Sequence, residues 1–330
     1  LAVCARECPA GEAARAAAAA ACRGGAPMNA AIAAGLLTLG QRDCGRLPAP
    51  LRERYTRAQT QALTLIPQVV ELAACILGHE LQWSDDASIE EMAFRALAGR
   101  TPSAAEARLL RATFISCIDH TPATPSSLAA ITSYSGGNSL QTALAAGITA
   151  MGDTHAGAGE GTARLLSEYL AKMRQAVAAG GAFEADGVRV PDHKALAAYI
   201  VDKVTGVYGG EKGRIPGYGH RYYSLYGKDP RAVALLNLAG ELGLAGEHCL
   251  LAGEIEAVLK EKKAQGLCFN VDGVIGALLC DLRMRPEAGK AMFIIPRTVG
   301  ILGQLLEQDP GSFFRLQNDS IIYVGPELRR

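Results

Sequence analysis

Two histidines and one aspartate stand in glycine-bearing turns, in the order His155, His220, Asp272. The turns read Met151-Gly-Asp-Thr-His-Ala-Gly-Ala-Gly-Glu160, Ile215-Pro-Gly-Tyr-Gly-His-Arg221 and Phe269-Asn-Val-Asp-Gly-Val-Ile-Gly276. Glycines at 217 and 219 let the backbone approach a ligand at little steric cost, and an imidazole changes protonation near neutral pH. A carboxylate drawn into a partly desolvated pocket becomes a better base. The set therefore suits proton exchange, with one group moving a proton and another donating a hydrogen bond to the charge that develops. Each turn alone has a plainer account. The 215–221 segment reads equally as a glycine-rich turn with an incidental histidine, and Asp272 as a helix N-cap.

The elements that must position these turns read as helices, with almost no strand-type alternation. Ser88-x-x-Glu91 and Ser103-x-x-Glu106 are capping boxes, separated by a break at Ala98-Gly-Arg-Thr-Pro102. Apolar stripes follow at 166, 170, 173 and 177, at 196, 200 and 204, at 235, 238 and 242, and at 255, 258 and 259. Such stripes are the core faces of packed helices. Short extended pieces are expected only at 293–305 and 321–324. The apolar stretch 63–78 holds Pro67, Gln68 and Glu71, which makes it a buried helix rather than a membrane span. The chain is thus mostly α. Glycine-rich punctuation sets off 159–265 as an inserted small helical domain. Residues 29–158 and 266–330 then form a large helical domain, and 1–28 a flexible or helical extension, with Met28 a candidate alternative start.

A chain of 330 residues with 49% hydrophobic content has enough material for two cores. Its 33 basic and 33 acidic residues cancel, which argues against a nucleic-acid or membrane-surface footprint. Nine cysteines without a Cys-x-x-Cys pair argue against a disulfide scaffold or a zinc site. The N-terminal stretch has the alanines of a leader but carries Glu7 and Glu12, a poor signal peptide, so a cytoplasmic location is expected.

In order and motif the three turns resemble the catalytic set of the citrate synthase superfamily, from about Ser88 to the C-terminus. Within it, Gly152-Asp153, Asp119-His120-x-Pro-x-x-Pro125-Ser126 and Asn270-Val-Asp272-Gly-x-Ile-Gly276 look more like citryl-CoA lyases and the C-terminal module of ATP-citrate lyases. Citrate synthases usually carry asparagine where this chain has Thr124, and Pro-Leu-His-Gly-Gly where it has Asp153-Thr-His155-Ala-Gly.

The resemblance implies a two-domain helical fold with the active site in the cleft, completed by His220 when the cleft closes. It implies carbon–carbon bond chemistry next to a CoA thioester. Asp272 would exchange the proton of the acetyl methyl carbon, His155 hold the enolate oxygen and His220 serve the hydroxyl or carbonyl. His120 would bind substrate, and Arg231, Arg297 and Arg315 its carboxylates, with Arg315 reaching the neighbouring subunit of a homodimer. The backbone of Pro216, Gly217, Tyr218 and Gly219 would take CoA, with Lys262 or Lys263 near its phosphates. No tightly bound cofactor and no metal are implied. The partners would be citryl-CoA, acetyl-CoA and oxaloacetate. No ATP-grasp or phosphohistidine region is visible, so a separate citryl-CoA synthetase would supply the substrate of a stand-alone lyase. A citrate or 2-methylcitrate synthase is the alternative. A metallohydrolase with His120, His155, His220 and Asp272 as ligands, or a non-catalytic CoA-binding or scaffold domain, are further alternatives.

Overall fold

The computed structural model describes residues 1–39, 47–209, 213–220, 223, 227–262 and 267–308. It opens with α1 (Ala2–Glu7), α2 (Glu12–Arg23), α3 (Met28–Leu37), α4 (Ala49–Arg54) and α5 (Arg57–Leu77). Next come α6 (Ile89–Ala98), α7 (Ala104–Cys117), α8 (Pro125–Ser135), α9 (Leu140–Thr149) and α10 (Ala158–Ala178). A hairpin of β1 (Phe183–Ala185) and β2 (Val188–Val190) leads to α11 (His193–Val204) and α12 (Pro230–Glu241). The last helices are α13 (Glu247–Glu261), α14 (Val271–Asp281) and α15 (Ala288–Leu306).

The helices start where their caps direct. At Ser88 and Ser103 the hydroxyl accepts from the amide three residues on, and the Glu91 and Glu106 carboxylates accept from the cap amides, each at 2.7 Å. Gly78 and Gly99 end α5 and α6 in the left-handed conformation, with φ of 74° and 68°. Helix α5 is long and apolar enough to cross a membrane, but 78% of its apolar window is buried inside the protein. It is a core helix. Its polar residues anchor the N-terminal segment: Gln68 donates to the Cys8 carbonyl at 2.8 Å, and Glu71 accepts from the Ala10 amide at 2.6 Å and the Trp83 indole at 2.9 Å. Residues 1–28 carry α1, α2 and the first residue of α3, with Cys4, Ala14 and Ala18 buried.

Two local readings are corrected. Residues 293–305 are not extended but lie within α15, which carries Pro296 inside it. Its branched and aromatic residues resemble a strand because every residue from Ala288 to Thr298 is buried, so the polar face that marks a helix in sequence is missing. The hairpin escaped detection because its strands are three residues long. Its signal is Asp186-Gly187, both at positive φ (50° and 76°), the geometry of a type I′ turn. The stretch 321–324 lies outside the described residues. Cys4, Cys22, Cys75, Cys117, Cys249 and Cys280 are free thiols.

Helix α15 packs on α5, α7, α8, α9, α10 and α14, while α11 packs on α13 and α13 on α14. Helices α10 and α14 meet through glycine: Gly276 abuts the Gly159 carbonyl, where a Cβ has no room. That contact sets the start of α14 beside the loop that precedes α10.

Candidate active site

Asp272 lies in the first turn of α14, but the cap is Asn270, whose side-chain oxygen accepts from the Gly273 amide at 3.0 Å. Capping therefore does not account for Asp272. The Asn270 amide group donates to the Gly219 carbonyl at 2.7 Å, its backbone N–H to the Gly217 carbonyl at 2.9 Å, and the Gly219 amide to the Cys268 carbonyl at 2.7 Å. Tyr218 bridges to Phe269 and stacks on its ring. The loop bearing His220 is thereby laced to the segment entering α14. Gly217, at φ 84°, passes so near Gly273 that a Cβ would stand 2.5 Å from its Cα.

Asp229 holds the next piece. Fully buried, it caps α12 and accepts from the Arg231 amide, from Arg231 Nε at 3.0 Å and Nη2 at 2.8 Å, and from the Val271 amide at 3.1 Å. One carboxylate thus ties Arg231 to the start of α14. Arg231 Nη2 stands 3.4 Å from His220 Nε2, and the His120 and His220 rings meet edge to face at 5.9 Å.

On the other side, His155 Nε2 pairs with Ser126 Oγ at 3.0 Å, and its ring meets Phe293 edge on at 6.2 Å. The Arg297 guanidinium lies 4.6 Å over the Phe293 ring and donates through Nε to the Cys117 carbonyl at 2.9 Å. Arg297 is only 2% exposed, and its buried Nη1 has no partner among the described residues. A buried guanidinium nitrogen without an acceptor is costly, and a carboxylate or phosphate oxygen is the partner a guanidinium takes best.

Burial, then Arg297 and His120, push the His155 pKa down to about 4. Burial and then Arg231 also lower those of His120 and His220. Burial raises Asp272, against the opposing pull of Arg231 and Arg297. The site therefore holds three imidazoles whose charged form is disfavoured and a buried carboxyl group whose charged form is likewise disfavoured, beside two arginines. Among the described residues no group of three or more His, Cys, Asp or Glu side chains is placed to hold a metal ion.

A pH dependence of stability follows. A histidine whose folded pKa is depressed binds its proton more readily in the unfolded chain, so its contribution is complete above pH 6.5 and shrinks as pH falls toward the folded value. The urea midpoint is expected to drop between pH 7.5 and 5.5, and to drop less in His155→Gln. An equal drop in both proteins would show that the His155 environment does not disfavour its charge.

Beside His220 opens a cleft of about 820 Å³, lined by Thr154, Arg214, Tyr218, Gly219 and Leu259 among others. Of the proposed CoA residues, Tyr218 and Gly219 line it. Pro216 instead packs against Gly161, and Gly217 against Gly273; with the Gly219 amide engaged at Cys268, this stretch braces the loop more than it offers donors. Lys262 pairs with Asp202, and Arg214 is a cation on the cleft wall. Lys263 and Arg315 lie outside the described residues. Sequence reasoning passed over Ser126 as a functional residue, although it ends a motif singled out above, over Asp229, two residues before Arg231, and over Phe293, whose helical spacing from Arg297 was the available signal.

A family model for the C-terminal domain of citrate synthase matches residues 5–317. The chain belongs to the citrate synthase family. It is similar to the structure of citryl-CoA lyase from Hydrogenobacter thermophilus, with 31% identity, a TM-score of 0.61, and coverage of 74% of this chain and 87% of that one. Citrate synthase of Saccharolobus solfataricus is 29% identical over 171 residues, 50% of this chain and 44% of that protein. ATP citrate lyase of Methanosaeta concilii shares the fold at a TM-score of 0.55 and 22% identity, over 73% of this chain and 37% of that one. The matched stretches span 44%, 28% and 54% of three curated citrate synthases.

Proposed function

We propose that this family member is a citryl-CoA lyase, cleaving (3S)-citryl-CoA to oxaloacetate and acetyl-CoA. The observation that carries the reading is the pairing of Asp272, a carboxyl group with a raised pKa, with Arg297, a buried arginine that lacks an acceptor. His220 takes the hydroxyl proton as the carbonyl of oxaloacetate forms and the carbon–carbon bond breaks. The electron pair passes into the enolate of acetyl-CoA, whose oxygen His155 holds by a hydrogen bond. Asp272 then gives its proton to the methylene carbon, completing the methyl group. A neutral imidazole serves the donor role because a weaker acid does not surrender its proton to the enolate. Arg231 and Arg297 take carboxylates, with His120 beside them, and Arg315 would add a third cation from the partner of a homodimer. The cleft beside His220 receives CoA, and closure of 159–265 over the rest shuts out water.

Two features favour cleavage over synthesis. The lyase of Hydrogenobacter thermophilus is matched over 87% of its length at 31% identity. Thr124, where the synthase pattern has an amide, turns its hydroxyl inward to the Thr121 carbonyl and Ser127 Oγ at 3.2 and 3.1 Å, leaving no side-chain amide to orient water. The similarity to citrate synthases supports the second reading, condensation of oxaloacetate with an acyl-CoA. Incubation with citryl-CoA should release acetyl-CoA and oxaloacetate with little free CoA. Steady conversion of oxaloacetate and acetyl-CoA to citrate and free CoA, faster than cleavage, would replace the lyase by the synthase.

A further inference from the structure

Helix α15 presents Lys290, Phe293 and Arg297 at i, i+3 and i+7, one face of a helix. Phe293 meets the His155 ring and Arg297 lies over Phe293. The third residue of that face has no part in the mechanism above. Lys290 is a buried lysine, its side chain 3% exposed, with Nζ 2.8 Å from Asp153 Oδ1. Asp153 is 94% exposed and stands two residues before His155.

This is unlike an ordinary surface ion pair, whose flexible ends both lie in water and whose loss costs little. A buried ammonium needs its acceptor, so the loop is drawn to the helix rather than the lysine to the loop. The loop backbone is wound to hold the carboxylate there. The His155 amide donates to the Gly152 carbonyl at 3.1 Å, and Ala156 takes a left-handed φ of 74°. Gly157 folds back so closely that a Cβ would stand 2.5 Å from the Cα and carbonyl oxygen of Asp153. Arg164, which pairs with the carboxylates of Glu160 and Glu287 in the first turns of α10, is by contrast solvent-exposed, and so is screened.

We propose that Lys290 is a positioning residue, pinning the 152–157 loop to α15 through Asp153 and so fixing the His155 imidazole between Ser126 and Phe293. The proposal rests on the reading of His155 as donor to the enolate oxygen. A donor of that kind acts only if held in place before charge develops, and small misplacements are amplified in rate. The pair, buried at its lysine end, supplies that restraint from the helix that also carries Phe293 and Arg297.

The test compares wild type with Asp153→Asn, Lys290→Met and the double variant, by amide hydrogen exchange resolved to peptides and by steady-state turnover of citryl-CoA and of oxaloacetate with acetyl-CoA. Each single variant should exchange faster across 152–157 without a matching rise elsewhere. Each should lose kcat by about 10-fold while KM changes little, as expected for a displaced group that acts in the transition state. The double variant should match the singles rather than multiply them, the mark of one shared interaction. Asp153→Asn is at the surface and decides the matter even if Lys290→Met fails to fold. Loop exchange and kcat both within about twofold of wild type in Asp153→Asn would overturn the proposal, and so would faster exchange spread evenly over the chain. If wild type turns over neither substrate pair while loop exchange still rises in the variants, the pin stands and the functional reading falls.

Discussion

Replacing Asp272 by asparagine is expected to lower turnover by at least ~10²-fold in both directions, because an amide cannot exchange a proton with carbon. The change is nearly isosteric, and the capping of α14 belongs to Asn270, so the helix start and the His220 loop laced to it should survive. Calorimetric titration with a CoA thioester should therefore give affinity close to wild type. The raised pKa of Asp272 strengthens the expectation. In cleavage the group must hold a proton to deliver, and burial favours that protonated form relative to an ordinary exposed carboxyl. Near-normal turnover of the variant would remove Asp272 from the mechanism and leave its raised pKa a consequence of burial alone.

What the sequence disclosed of this site is unequal for physical reasons. Capping boxes and apolar stripes are local, so α6, α7, α10, α11 and α13 could be read from residue types a few positions apart. Helix α15 could not, because a helix buried on every side loses the polar face that gives it a period. The site residues stood out through glycine: Gly217, Gly273 and Gly276 are required where the His220 loop, α14 and α10 touch. What supports them was less visible. Asp229 has an evident local role as cap of α12, and its bond to the Val271 amide, 42 residues away, follows only from the fold. Lys290 lacks even a local sign, since a lysine in an apolar run reads as an exception until its partner across 137 residues is seen. Reach across the fold also separates the two arginines that motif alone treats alike.

Arg297→Leu is expected to weaken substrate binding by about 1.5–3 kcal/mol, the range for losing a charged hydrogen bond, while leaving the free protein as stable as wild type or more so. The guanidinium is buried, its pKa is lowered by that burial, and one nitrogen lacks an acceptor in the free site. Replacing such a charge with an apolar group of similar volume is often neutral or stabilising. The lost bond to the Cys117 carbonyl and the contact over Phe293 work the other way, each modest beside an unpaired buried charge. Arg231→Leu should behave differently. It strands Asp229, which is fully buried and kept below its usual range, against burial, largely by Arg231, so both binding and thermal stability should fall. Thermal unfolding of the free proteins, with KM for citryl-CoA and for oxaloacetate, separates the cases. If Arg297→Leu lost as much stability as Arg231→Leu and kept its KM, Arg297 would be a structural arginine bonded to Cys117. Retained stability with a raised KM would instead mark it as a strained group kept for its ligand, whose missing acceptor is the substrate carboxylate.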